Sequence, residues 1–218
     1  MLVKVDLHLH SEFSWDSKVP IESYIQRAEQ LNFGAIAITD HNDIQSHQKI
    51  ERLQSQTDVI LVPGQEVSTK DGHLLVYGWT ERVPKDLTMK ESVEFAKSQG
   101  ERVICVAAHP FDILRSGKGR KVGDSGIDGV ETLNASSLFG IFNWRARKFA
   151  DQRFAIQLGN SDSHRLAEFG TAYTELPPCN DLDGVLSNLS HGKAKGRRIG
   201  IPRKTVRFLR RKLNRMTS

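Results

Sequence analysis

Residues 35–41 read Ala35-Ile36-Ala37-Ile38-Thr39-Asp40-His41. A short apolar run passes straight into a carboxylate and an imidazole. The run reads as a strand, and the same pattern recurs along the chain. Val59–Val62 leads, past Pro63-Gly64, to Glu66. Val103–Ala107 ends at His109-Pro110, and Phe154–Leu158 leads to Asp162-Ser163-His164. Leu2–Leu9 carries His8 and leads to His10, and alternation on a strand puts both imidazoles on one face. His73 opens a further apolar run to Gly78, and Gly129–Leu133 is another strand candidate.

Helical patterns lie between these runs, over Ile21–Leu31, Ile44–Leu53, Met89–Ser98 and Phe142–Ala150. In the first, Ile21, Tyr24, Ile25, Ala28 and Leu31 share one face, Pro20 stands near the start, and Asn32-Phe33-Gly34 ends it. Strand–helix alternation predicts a mainly parallel α/β fold. In a parallel α/β barrel the C-terminal strand ends converge on one face, where active sites lie. Imidazoles and carboxylates collected there cost free energy if buried without partners or metal. His8 and His10 alone could be two half-buried polar residues. The company of the other histidines and carboxylates favours a multinuclear metal site instead. Nitrogen and oxygen donors without thiolate suit Zn, Mn or Fe.

Composition sets the outer bounds. The chain has 218 residues, 31 basic and 26 acidic side chains and a formal charge of +5. The stretch from Lys193 to Ser218 holds 11 basic residues and no acidic one, so residues 1–192 carry 20 basic against 26 acidic, or −6. An acidic body with a basic tail hints at a polyanionic partner. The length suits one domain if the fold is a barrel. Cys105 and Cys179 stand in unlike contexts and form neither a disulfide framework nor a thiolate zinc site. The N-terminus is too short and too soon polar for a signal peptide. No apolar run approaches the roughly 18 residues of a membrane span. A cytoplasmic protein is expected.

The motifs Asp6-Leu-His8-Leu-His10-Ser, Thr39-Asp-His41-Asn, Gly64-Gln-Glu66, Ala108-His109-Pro and Asn160-Ser-Asp162-Ser-His164 resemble those of the PHP (polymerase and histidinol phosphatase) superfamily. The resemblance spans residues 3 to about 175, in order. Gly170-Thr-Ala-Tyr-Thr-Glu175 resembles the segment that follows the barrel in short members, and Asn134 and Asn143–Ala146 also look like the family. The resemblance implies a distorted (β/α)7 TIM-like barrel with the metal centre at the C-terminal strand ends. Residues 1–192 would be the domain, with a PHP-associated segment at about 165–192, and 193–218 a basic, partly helical tail.

The resemblance further implies two or three divalent ions. His8, His10, Glu66 and Asp162 would bind one. Glu66 would bridge to a second, held also by His73 and His109. Asp16, His41 and His164 would bind the third; a histidine replaces Asp16 in some members, and the spacing at His73 varies. Among these ligands, Glu66, His109, Asp162 and His164 are the candidate catalytic residues. Clustered dications make hydroxide available from a bridging water and neutralise phosphoryl oxygens during in-line attack, so a metal-dependent phosphoesterase is expected. Asp6 and Asp40 are candidate outer acceptors that orient ligand histidines.

The substrate is less determined. Arg115, Lys118, Arg120 and Lys121 follow His109 in the segment Ser116–Gly126, which reads as a mobile, Gly-rich loop over the metal face. It either grips a second phosphate or an oligonucleotide backbone, or is a solvated charged loop. Asn134 is a further substrate-binding candidate. The tail could meet nucleic acid, dock on the acidic body, or lie on an anionic membrane. Short relatives act on nucleoside 3′,5′-bisphosphates or short oligonucleotides, and that substrate class is favoured here. A histidinol-phosphate phosphatase, a non-catalytic phosphate or nucleic-acid binding module and an amidohydrolase-like enzyme are the alternatives. His47 reads as a surface residue, His191 as a helix-end contact and Cys105 as a core thiol. Trp15, Phe13 and Trp144 read as core or rim in preference to base-stacking platforms.

Overall fold

The computed structural model describes residues 2–151 and 153–199. The basic helix expected from Pro202 onward lies outside them. Seven strands form the barrel: β1 (Val3–Leu9), β2 (Phe33–Ile38), β3 (Ile60–Thr69), β4 (Gly72–Tyr77), β5 (Ile104–Ala108), β6 (Gly129–Asn134) and β7 (Ile156–Asn160). Helices α1 (Ile21–Leu31), α2 (Ser46–Gln54), α3 (Met89–Ser98) and α4 (Gly140–Ala150) connect them. After β7 come β8 (Ala172–Leu176), α5 (Leu182–Asn188) and β9 (Lys193–Gly196). The sheet order is β7-β6-β5-β4-β3-β2-β1-β8-β9.

The strand run at Val59 does not stop at Pro63-Gly64. Pro63 has no N–H to donate, but its carbonyl accepts from Gly78 N at 2.9 Å, and β3 continues to Thr69. At Gly64 a Cβ would lie 2.9 Å from the Val76 carbonyl and 3.1 Å from Thr39 Cγ2, so β2 and β4 can close on this position only around glycine.

The sheet is less parallel than the alternation suggests. β4 runs antiparallel to both β3 and β5. Only Lys70 and Asp71 separate β3 from β4. A two-residue connection makes a hairpin and cannot make a parallel crossover. One consequence is functional. His73, at the start of β4, reaches the same barrel face as the residues at the ends of the parallel strands.

The barrel closes without a ladder between β1 and β7. An isolated bridge joins Leu9 to Ser163, with His10 N donating to Ser163 O at 3.0 Å. The Asn160 side chain completes the seam by accepting from Leu7 N at 3.0 Å. β8 and β9 cover the outside of this seam, where the Thr174 hydroxyl accepts from Gly159 N at 2.9 Å and donates to Gly159 O at 3.0 Å. Val5, Leu7, Ala37, Val62, Leu75, Val106 and Leu158 form one buried cluster with Val185 and Leu189. α3 and α4 pack on β4–β6, and α1 and α2 on β1–β3.

Two local expectations change. His47 is buried, because the first turn of α2 packs on β3 and brings its Nε2 3.1 Å from the Gly64 carbonyl. The segment after His109 contains two 3₁₀ turns, Ile113–Arg115 and Gly119–Asp124, with Val122 buried beneath them. Cys105 is a buried core thiol, as its strand position suggested.

Thr174→Val preserves shape but leaves the Gly159 N–H and C=O without their partner. It should lower unfolding free energy by about 1–3 kcal/mol, read from urea denaturation.

Candidate metal centre

The histidines and carboxylates at the strand ends converge as a single cluster with a buried centre, its members Asp16, His41, His73 and His164 being part-exposed. Glu66 lies at its middle and is 1% exposed. Its Oε2 is 3.3 Å from His8 Nε2, 3.4 Å from His10 Nε2 and 3.0 Å from His41 Nδ1. Its Oε1 is 2.9 Å from His73 Nδ1 and 3.2 Å from His109 Nε2. Asp162 Oδ1 approaches His10 Nε2 at 3.3 Å and His8 Nε2 at 3.6 Å. Asp16 Oδ2 lies 3.2 Å from His41 Nε2 and 3.0 Å from His164 Nε2. All nine sequence-predicted ligands therefore meet at one place.

Among the described residues, three overlapping groups have donor atoms close enough to share a cation: His8–His10–Glu66, Glu66–His73–His109, and His10–Asp16–His41–His164. His10 therefore also borders the third group. The side-chain hydrogen bonds do not satisfy this cluster. His8 Nε2, both ring nitrogens of His10, Glu66 Oε2 and His109 Nδ1 are buried without a hydrogen-bond partner. Such atoms are costly to bury, and a divalent cation is what this nitrogen and oxygen set fits.

The surrounding charges act strongly on the titrating groups. Burial opposes charge on His8, but Asp162, Glu66 and Glu131 outweigh it and raise its pKa well above the usual value. Burial pushes His10 down to about 4. On His41 burial is again overcome, here by Glu66 and Asp16, and its pKa rises to about 9. Against the effect of burial, His8 and other histidines hold Glu66 well below the carboxylate range, and His8 and Arg115 do the same to Asp162.

A residue absent from the sequence reading organises the cluster. Glu131, on β6 and fully buried, accepts from four directions. Its Oε1 is 3.0 Å from His8 Nδ1 and 3.0 Å from Asn160 Nδ2. Its Oε2 accepts from His109 N at 2.9 Å and Asn134 Nδ2 at 2.8 Å. It thus fixes the ring of His8 and the backbone of His109, which sits in the left-handed region at φ 29°. Asp162 is held there too, at φ 53°, and Asn134 Nδ2 donates to its Oδ2 at 2.9 Å. The signal available in sequence was a glutamate inside the apolar run Gly129–Leu133.

Asp6 and Asp40 orient backbone, and among the described residues neither hydrogen-bonds or ion-pairs with a histidine ring. Asp6 accepts from Ser161 N and Gly170 N, at 3.0 and 3.1 Å. Asp40 accepts from Ser11 N and Ser11 Oγ, at 2.6 and 2.7 Å. Both thereby fix loops that carry ligand candidates. Asn134 is fully buried, its Nδ2 donating to Glu131 Oε2 and Asp162 Oδ2 and its Oδ1 accepting from Arg115. Arg115 reaches the centre: its guanidinium pairs with Asp162 and donates to Asn134 Oδ1 and Ser137 Oγ at 3.0 and 3.1 Å. Lys118 and Arg120 face a neighbouring cleft, and Lys121 is exposed elsewhere on the segment. Trp15 is a rim residue, 83% exposed, with its ring 5.9 Å from that of His41.

Burial raises the Asp6 pKa to about 7, against the pull of its Ser161 and Gly170 donors. A raised carboxyl pKa favours the folded state below its unfolded pKa, and that stability is lost as pH rises toward 7. In metal-free buffer, Asp6→Asn should therefore gain stability relative to wild type between pH 4 and 7, by urea midpoint; a pH-independent difference would contradict the buried, neutral carboxyl.

Comparison with known proteins agrees with this geometry. A family model described as PHP domain matches residues 6–117, and a PHP-associated model matches residues 140–194. The uncharacterized protein MJ1587 of Methanocaldococcus jannaschii is 32% identical over 151 residues, covering 65% of this chain and 87% of that protein. A segment of the PolC-type DNA polymerase III of Lacticaseibacillus paracasei is 33% identical over 94 residues, 42% of this chain but 6% of the polymerase. An inferred metal-dependent phosphoesterase of Bifidobacterium adolescentis shares the fold at a TM-score of 0.65 and 16% identity, covering 87% of this chain and 96% of that one. With five strand-end motifs converging on one cluster and the family model spanning residues 6–117, the chain belongs to the PHP domain family.

Proposed function

We propose that this protein is a metal-dependent phosphoesterase whose substrate is a nucleotide, such as a nucleoside 3′,5′-bisphosphate, or a short oligonucleotide. The observation that carries the hydrolase reading is the cluster around Glu66, with its buried, unpartnered ring nitrogens and carboxylate oxygen. His8, His10, Glu66 and Asp162 would hold one cation, Glu66, His73 and His109 a second, and Asp16, His41 and His164 a third. Bound dications supply a water of lowered pKa near neutrality and charge to neutralise phosphoryl oxygens. Zn, Mn and Fe suit the donors.

The protein's own groups supply orientation and charge. Glu131 fixes the His8 ring, so that its Nε2 faces Glu66 and Asp162. Arg115 stands beside Asp162 with a fork of donors suited to phosphoryl oxygens. Asp162 would thus serve both as a cation ligand and as the partner that holds Arg115 at the centre. His41 and His164 are part exposed and line the mouth of the centre with Asp16. The nucleotide reading draws support from the cations that follow β5, from the basic tail in the sequence, and from the likeness to a polymerase segment.

The test is a metal analysis joined to a phosphate-release screen over nucleoside 3′,5′-bisphosphates, 5′-phosphorylated oligonucleotides and histidinol phosphate. Nucleotide or oligonucleotide esters should give the highest kcat/KM. A preference for histidinol phosphate would overturn the substrate class. No metal and no turnover with Mn, Zn or Fe would leave a binding module.

His8→Ala and Asp162→Ala should each lose bound metal and turnover while the far-ultraviolet circular dichroism stays that of the wild type; full activity in either would refute its ligand role. Glu131→Gln keeps one oxygen and turns the other into a donating amide, so His8 Nδ1 or His109 N loses its acceptor without a change at a proposed ligand position. It should weaken metal binding by about 10–100-fold, measured by chelator competition.

A further inference from the structure

The segment after β5 and helix α4 face each other across a cleft of about 560 Å³, within the roughly 300–1,000 Å³ typical of ligand pockets. Lys118 and Arg120 come from the segment, and Arg145 and Lys148 from the helix. Trp144, 54% exposed, joins them, and buried Phe149 adds apolar lining. No lining residue is acidic. None of the four cations is in an ion pair among the described residues. Like charges gathered around a concave apolar surface repel one another, and a bound polyanion relieves that repulsion.

We propose that this cleft binds a single-stranded nucleic-acid segment, with a base stacked on Trp144 and backbone phosphates against the four cations. Single-strand sites combine these two elements, a basic groove and an exposed aromatic face. The cleft also shares a wall with the metal centre: Ile113 lines it, and Arg115, in the same 3₁₀ turn, pairs with Asp162. A strand held here can present a phosphate at the centre while its next nucleotide occupies the cleft. That coupling rests on the phosphoesterase reading, but binding in the cleft does not. A lipid surface is the competing partner, since Ile113 and Leu114 are exposed nearby. The concave shape, with cations from both walls, favours a strand over a flat bilayer.

The measurement is fluorescence anisotropy of labelled hexathymidylate with the full chain in EDTA, where no turnover occurs. Binding should weaken steeply with salt. Trp144→Ala should weaken it about fivefold or more, and Trp144→Phe should restore it. Arg145→Ala with Lys148→Ala should weaken it about tenfold and flatten the salt dependence. Wild-type affinity in both Ala variants would overturn the proposal. So would binding to phosphatidylglycerol–phosphatidylcholine vesicles without binding to the oligonucleotide. In turnover, the same variants should lower the ratio of kcat/KM for a 5′-phosphorylated oligonucleotide to that for an aryl phosphate, and an unchanged ratio contradicts the cleft. If no ester is hydrolysed at all, the phosphoesterase reading fails while the EDTA measurement still decides the cleft.

Discussion

One buried carboxylate, that of Glu66, faces five imidazoles. Two carboxylate oxygens offer about four lone-pair positions, so the rings cannot all be satisfied by hydrogen bonding to it. Side chains alone therefore leave this cluster under-compensated, and it constrains much of the structure around it. The barrel must bring β1, β2, β3, β4 and β5 to one point. The hairpin reversal at Lys70-Asp71 is part of that solution, since it turns His73 toward the same face. Strain at His109 and Asp162 is tolerated because Glu131 and Asn134 fix the groups on either side.

The supporting shell differs in kind from the ligand set. Glu131 orients an imidazole and a backbone amide. Asp6 and Asp40 tie down the loops after β7 and β1. Asn160 links this shell to barrel closure, because its side chain accepts from β1 and donates to Glu131. Closing the barrel and building the site thus use the same few polar residues. A change in Glu131 is felt in both.

Much of this was legible in the sequence, for a physical reason. Strands buried on the barrel side read as apolar runs, so an imidazole or carboxylate at the end of a run stands out, as at Asp40-His41 and His109. α1 and α3 were legible to the residue from their apolar periodicity, α1 with Pro20 and Asn32-Phe33-Gly34 at its ends; the structure adds a capping box of Thr88 and Glu91 at the start of α3. What escaped depended on tertiary contacts. Pro63-Gly64 resembles a strand end, yet β2 and β4 pass close enough there to keep it in the sheet. His47 sits in a polar helix, but position on the first turn, against β3, buries it. The role of Glu131 needs neighbours from β1, β5 and β7, which no local pattern reveals. The α4 side of the basic cleft was hidden likewise, because it meets the segment after β5 only in the folded chain.

The Glu66 cluster is proposed here as a site for divalent cations. Calorimetric titration of Zn²⁺ or Mn²⁺ into the metal-free protein, repeated in buffers of different ionisation enthalpy, tests it most directly. His8 and His41 hold protons tightly beside carboxylates in the metal-free state, and metal binding must displace them. Saturable binding of two or three ions is expected, with proton release that disappears in Glu66→Gln. Absence of saturable binding, or binding with no proton release and no dependence on Glu66, would contradict it.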